Sequence, residues 1–316
     1  MAEELKRRGI SCDLIYGHSK RVYANSLLKL MHHNIIYFQK RYSGYDIKVN
    51  KLARLMGKKT IFDIDDAPGG ISLNTKTEKQ AIEMIKNSSG VVVGGHKLNN
   101  FAENLNSHVY LIPSSINLNY YEPRKGSKSH DYITLGWIGN GVNYKNDLLT
   151  LIKPLEELGG GHNIKLILIG ALGQKEIHQS FGKMKNVMVE IVDSIDWADT
   201  GAVPSAISNF DIGLYPLLNN EYNQYKCGGK LLEYMAMEVP PIASPVGENK
   251  LLIKNSEDGF LASNEEEWKE NISHLIEKAE LRKTMGKLGR KKIEEDYSLE
   301  VSANKLVKIF EEIEGH

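Results

Sequence analysis

Short apolar runs rich in β-branched residues alternate with amphipathic stretches along nearly the whole chain. The runs at 12–16, 34–38, 60–62, 90–93 and 109–112 read as strands. A second series follows at 133–138, 164–169, 187–192, 212–215 and 241–244. Strands separated by helical segments predict parallel sheets with helices on both faces. A polar stretch with Pro123 and Gly126, at 121–127, separates the two series and divides the chain into domains at 1–130 and 131–298. Near the C terminus, Ser263 or Asn264 is placed to cap a helix that opens with Glu265, Glu266 and Glu267, acids suited to the positive end of a helix dipole. Ser298 precedes a last helix whose Leu299, Ala303, Leu306, Phe310 and Ile313 form one apolar stripe; this helix, 299–316, can pack back on the N-terminal domain.

The start of the chain departs from this scheme. A doubly wound domain begins with a strand and a glycine turn before its first helix. Here residues 2–8 already read as helix, followed by Gly9 and the run at 12–16. The fold expected is α/β, two Rossmann-like domains facing each other across a cleft, with the N-terminal domain lacking its first strand, which this topology would make central.

A length of 316 residues and a 41% apolar share suit two such domains. There is no apolar run of 18 residues to span a bilayer, and the charged opening is no export signal, so a cytoplasmic protein is expected. Cys12 and Cys227 match no metal spacing and read as free thiols. The zero net charge hides a split: through His130 there are 20 Lys and Arg against 11 Asp and Glu, and beyond it 20 against 29. A basic first half can face an anionic membrane or a phosphate-bearing acceptor, placing the protein peripherally on the inner membrane face. Equally, the two halves can attract each other. No motif for nucleic acid accompanies the basic residues.

The segment Lys226-Cys227-Gly228-Gly229-Lys230-Leu231-Leu232-Glu233-Tyr234-Met235-Ala236 lies between the strands at 212–215 and 241–244, where a loop should enter a crossover helix. Glycines there let a ligand approach the backbone, and a helix N-terminus attracts phosphate. Lys226 and Lys230 share a face if the helix includes both, and would neutralise a diphosphate; Glu233 can accept hydrogen bonds from ribose hydroxyls. A solvated Lys/Glu face on an ordinary helix is the plainer alternative.

The C-terminal half resembles the family-four retaining glycosyltransferases of the GT-B fold. The resemblance rests on Leu135-Gly136-Trp137-Ile138-Gly139-Asn140, on Phe210-Asp211-Ile212-Gly213-Leu214-Tyr215-Pro216-Leu217 running into the Lys226 segment, and on Pro240-Pro241-Ile242-Ala243-Ser244-Pro245-Val246-Gly247-Glu248-Asn249 followed by Asp258-Gly259-Phe260-Leu261. Phe62-Asp63-Ile64-Asp65-Asp66 and Ile112-Pro113-Ser114-Ser115-Ile116-Asn117 extend it more loosely into the first half. The resemblance implies sugar transfer from a nucleoside diphosphate sugar, with retention and without a metal or cofactor, to a sugar or lipid-linked acceptor. It places Glu233 on the donor ribose and Lys230 at the diphosphate. Tyr225 stands where the family carries the first glutamate of its pair, so the segment is a Lys-rich variant. Asn140 replaces an arginine, Lys145 approximates a lysine, and Gly139 and Gly141 would offer backbone amides to phosphate. Gly229 belongs to the same donor-binding set.

Asp63 and Asp65 end a strand, where ligands of open α/β sheets bind. They can orient the acceptor or the transferred sugar. Read alone, Asp63-Ile64-Asp65 is also a metal-holding pattern; acids closing a strand end are nearly as good an account. The ten histidines show no metal spacing, and none is assigned. Two other functions stay open: a nucleotide-sugar-binding protein without activity, and a sugar-nucleotide epimerase of the same architecture. A dehydrogenase is disfavoured by the lack of G-x-G-x-x-G between strand and helix.

Overall fold

The structure, a computed structural model, describes residues 1–17, 27–67, 75–124, 126 and 131–315. The chain forms two compact units, one of residues 1–114, 224–227 and 299–316, the other of 115–223 and 228–298. Of the break that sequence puts at 121–127, with the boundary after residue 130, residues 125 and 127–130 lie outside the described residues.

The first unit opens with α1 (Ala2–Arg7) and continues through β1 (Ile35–Gln39), α2 (Gly44–Leu55), β2 (Lys59–Ile64), α3 (Lys76–Asn87), β3 (Gly90–Val93), α4 (His96–Glu103) and β4 (Val109–Leu111). Its strands are parallel and lie in the order 1-2-3-4. Side chains alternate across the sheet, as a strand's period of two requires. Phe62, Ile64, Val91 and Val93 join Ile47 and Ala53 of α2 and Met84 and Ile85 of α3 in one core. Ile61 and Val92 face the other core, with Leu5 of α1.

Residues 11–17 form no strand, against the sequence expectation for 12–16. A strand needs a hydrogen-bonded strand beside it, whereas Ile10 bonds back to Leu5 of α1, Ile10 and Cys12 pack on the core there, and Tyr16 is 76% exposed. The first element is α1, and no gap separates β1 to β4, so the position expected to be central is not open between them.

The second unit contains β5 (Ile133–Ile138), α5 (Gly141–Leu149), α6 (Ile152–Gly159), β6 (Ile164–Ile169), α7 (Lys175–Phe181), β7 (Val187–Val192), α8 (Ala202–Ile207), β8 (Ile212–Tyr215), α9 (Gly229–Ala236), β9 (Pro241–Ala243), α10 (Asn249–Leu252), β10 (Phe260–Leu261), α11 (Glu265–Glu277) and α12 (Ala279–Asp296). Its parallel sheet runs 10-9-8-5-6-7. The order reverses between β5 and β8, and ligands of open α/β sheets bind outside the carboxyl ends of strands at such a switch. Asn264 caps α11 by accepting from the Glu267 N–H at 3.0 Å. The last helix, α13 (Leu299–Gly315), belongs to the first unit, where Leu306, Ile309, Phe310 and Ile313 fill the α1-side core.

Central strands of the second unit have glycines where an aromatic ring takes the side-chain space. A methyl group on Gly136 would fall inside the ring of Phe210, itself buried. Gly136→Ala should cost about 2 kcal/mol of stability through overpacking. This would appear as a lower urea midpoint at unchanged slope; an unchanged midpoint would show that the strand yields more freely than this packing implies.

Candidate functional site

The switch point brings two loops together. Gly139 follows β5, and α9 follows β8 after a loop. Gly228 begins α9 in the left-handed region, φ 68°, where a side chain would also run into Leu252. No side chain caps α9 and no acid occupies its first turn, so its positive end stays open for an anion. Further along, the buried hydroxyl of Tyr234 accepts from the Ile138 N–H at 3.3 Å and donates to the Leu214 carbonyl at 3.2 Å. That one side chain ties α9 to the ends of β5 and β8.

Lys230, on the first turn of α9, extends over Gly139: the position of a Gly139 side chain is occupied by Lys230 Cε, with Nζ 3.0 Å away. The ammonium lies 4.0 Å from the ring centre of Tyr144, 5.2 Å from Tyr215 and 6.0 Å from Trp137. Aromatic faces attract a cation without neutralising it. Glu233, one turn on, is half-buried and accepts from the Tyr121 hydroxyl at 3.2 Å. Burial raises its pKa above the usual carboxylate range, while the Lys230 charge and the Tyr121 hydrogen bond pull it back.

Other residues of the expected donor set are engaged elsewhere. Helix α9 begins at Gly229, so Lys226 does not share a helix face with Lys230. Lys226 groups with the first unit and lies 3.8 Å from Asp66. The Asn140 carboxamide oxygen caps α5, accepting from Val142 and Asn143 at 3.1 and 3.3 Å. Lys145 is taken by Glu176 at 2.8 Å. The amides of Gly139 and Gly141 are not available to phosphate, because they bond to the carbonyls of Ile169 and Gly170 at 2.9 and 2.7 Å. Gly139 contributes room, by lacking a side chain. Gly229 is exposed on the first turn of α9.

In the first unit, the carboxyl ends of β1 to β3 gather a second group. Asp63 accepts from the Tyr37 hydroxyl at 2.8 Å. Burial, and secondarily the charge of Asp65, raises its pKa to about 6, against the pull of Tyr37 and Lys40. Asp65 pairs with Lys40 at 2.6 Å, and Lys40 also reaches Asp66 at 3.5 Å. The Cys227 thiol donates to the Asp65 carbonyl at 2.9 Å. Among the described residues no group of three His, Cys, Asp or Glu side chains is placed to hold a metal ion.

Sequence reading missed Tyr121, Tyr144, Tyr215 and Trp137 as partners of the site. Aromatic residues near strand ends look like core in a sequence, and three of these four are indeed buried.

Residues 133–278 match the family profile described as glycosyl transferases group 1. The capsular polysaccharide biosynthesis glycosyltransferase CapM of Staphylococcus aureus is 26% identical over 192 residues, spanning 59% of this chain and 46% of that protein. The chain thus matches under half the length of this relative. A glycosyltransferase from Rickettsia africae superposes with a TM-score of 0.69 at 16% identity, covering 98% of this chain and 87% of the other. Anabaena Alr3699/HepE, solved with UDP and glucose, gives 0.72 at 14% identity over 97% and 88%. The fold is that of these glycosyltransferases.

The Asp63 environment gives a pH-dependent prediction. With its pKa raised from 3.8 to about 6, the native state holds a proton that the unfolded chain has released between these values, so stability contributed by Asp63 declines as pH rises through that window. Asp63→Asn should therefore gain stability over wild type at pH 8, by about 2–3 kcal/mol, and gain little at pH 3.5. Denaturant melts at the two pH values check this; an equal difference at both would place the charge of Asp63 in solvent.

Proposed function

We propose that the protein is a glycosyltransferase that moves a sugar from a nucleoside diphosphate sugar to an acceptor hydroxyl. One observation carries the reading: the uncapped start of α9 and the ammonium of Lys230 converge over Gly139 at the switch of a parallel sheet. In the reaction, the bond from the sugar's anomeric carbon to the diphosphate breaks, its electron pair stays on the diphosphate oxygen, and the acceptor oxygen bonds to the carbon as its proton passes to the departing diphosphate. Charge grows on the leaving group, so a fixed cation and helix amides at that place lower the barrier. Lys230 is the residue assigned to this role, with Gly229 giving the phosphates access to the first turn of α9. Glu233, oriented by Tyr121, holds the ribose.

The finer points of the proposal rest on the motif resemblance. Retention of configuration and a mechanism without metal or cofactor follow from the Lys226–Ala236 segment's likeness to the family-four enzymes. Asp63 and Asp65 are assigned to the acceptor or transferred sugar, and the acceptor is a sugar or lipid-linked sugar. Lys226, Asn140 and Lys145 contribute less than their positions in the motif suggest, since each has a nearer partner.

Because HepE was solved with UDP, uridine diphosphate is the first nucleotide to test, followed by guanosine and adenosine diphosphates. Calorimetry should show binding to wild type and a loss of about 10- to 100-fold in Lys230→Ala, the worth of one hydrogen bond to a charged group. Lys145→Ala should change affinity less than about threefold, since an exposed pair with Glu176 is all it loses. Equal binding by wild type and Lys230→Ala would remove the assignment; consumption of a donor sugar with no acceptor present would point to epimerisation instead.

A further inference from the structure

The basic residues of the first unit raise a question that the donor site does not answer. Several are spent within the unit: Arg8 on Glu4, Lys40 on Asp65, Arg41 on buried Asp46. On helix α2, Lys51 and Arg54 are likewise spent, on Glu83 and the Asn87 carbonyl, but among the described residues Lys48 is not. The helix opens at Ser43, whose side chain and backbone N–H exchange hydrogen bonds with Asp46 in a capping box. Its inner side, with Ile47, Asn50 and Ala53, is buried. Its outer side carries Tyr45, Leu52 and Leu55, which fall within one arc at 100° per residue, and Met56 extends the arc past the helix end.

These four side chains are 49%, 38%, 85% and 41% exposed. An unburied leucine is ordinary by itself; four large apolar groups on one helical face are not. Lys48 lies in the same arc, its ammonium 5.8 Å from the Tyr45 ring centre. Lys51 borders the arc and pairs with Glu83, and Lys58 and Lys59 follow the helix. From residue 44 to 59 the chain has five cations, Lys48, Lys51, Arg54, Lys58 and Lys59, and one acid, the buried Asp46. The same layer of the domain continues the pattern: Leu30 is buried in the core that receives Ile47 and Ala53, while Leu28 and Met31 beside it are 71% and 69% exposed.

We propose that the outer face of α2 docks on an anionic lipid surface, its apolar side chains entering the headgroup boundary and its lysines meeting the lipid phosphates. The charge pattern selects this occupant. A protein interface of this apolar content would be depleted of lysine at its centre, whereas an interfacial helix interleaves the two, with long lysine stems reaching out of the apolar layer to the headgroups. No helix among the described residues is long and apolar enough to cross a membrane, so the contact is peripheral. The surface is independent of the donor site, and neither assignment needs the other.

The test is co-sedimentation of the full chain with vesicles of phosphatidylglycerol and phosphatidylcholine in equal parts, against pure phosphatidylcholine. Binding is expected to the anionic vesicles alone and should weaken at about 0.5 M salt, where screening is short-ranged. Leu52→Glu/Leu55→Glu should lose at least about tenfold in vesicle affinity through lost apolar insertion and added repulsion. Lys48→Gln, which leaves the apolar groups and the Lys51–Glu83 pair in place, should lose about fivefold, the worth of one cation near an anionic surface. Both variants should keep wild-type melting temperatures and nucleotide affinity, which separates failure of this surface from failure of the donor site. Binding to both vesicle types alike, to neither, or unchanged binding by the variants would overturn the proposal. So would a wild-type dimer that the leucine variant dissolves without any vesicle binding, which would make a second copy the occupant.

Discussion

The close approach of α9 to the end of β5 governs the second unit. Lys230 can lie over Gly139 only because residue 139 has no side chain, and α9 can start there only because Gly228 takes a left-handed turn that a side chain would jam against Leu252. Gly170, at φ 90°, is confined in the same way: a side chain on it would collide with the Gly139 carbonyl. Gly170 thus packs against the Gly139 backbone, while Gly139 and Gly228 make room for the Lys230 and Leu252 side chains, which brings a helix terminus and an ammonium group to one spot at a sheet's switch point. The helix does not drift from that position, because Tyr234 on its far side is bonded to both flanking strands. Fold and site are the same packing solution seen at two scales.

The electrostatics of the two units differ in kind. Around Lys230 the cation is bordered by aromatic faces, and the carboxylate form of Glu233, one turn on, is disfavoured by burial and steadied by one phenol. A cation kept this way retains its attraction for an incoming anion, because among the described residues no carboxylate pairs with it directly. Around Asp63 the balance is reversed. Four charged side chains, Lys40, Asp65, Asp66 and Lys226, pair with one another, and Asp63 is left with a phenol and a raised pKa. A carboxyl group that changes protonation near neutrality suits hydroxyl recognition, being able to accept or donate according to its state.

The strands of both sheets were legible because each is a β-branched run between turn residues, and all but one of the ten expected runs became one. The exception, 12–16, has the composition of a strand but no ladder partner, and pairing is a property of the whole sheet that no local pattern records. The two-residue β10 was too short to show a period. That Lys230 and Glu233 lie one turn apart on a crossover helix could be read off, because their spacing of three holds wherever the helix forms. For Asn140, Lys145 and the amides of Gly139 and Gly141 the sequence could not show one thing: a residue's position after a strand says where it is, whereas its hydrogen-bond partners decide what it still has to offer. Those partners, Val142, Glu176 and the end of β6, come from tertiary contact, or from a cap geometry that depends on where the helix starts.

The same distinction settles how much weight the charge split can bear. An excess of nine cations in the first 130 residues does not by itself require an external anion, since long-range attraction between exposed charges is screened beyond about 8–10 Å at physiological salt. What a net count cannot show is which cations are already matched. Lys40 and Arg41 are matched by acids of their own unit, and this part of the excess has no outward meaning. Lys48 is next to a tyrosine ring on a helix face where apolar groups, not acids, are its neighbours. Unmatched charge set among exposed apolar groups specifies a partner with both properties at once, an anionic layer over an apolar one, far more narrowly than either the charge or the exposed area would alone.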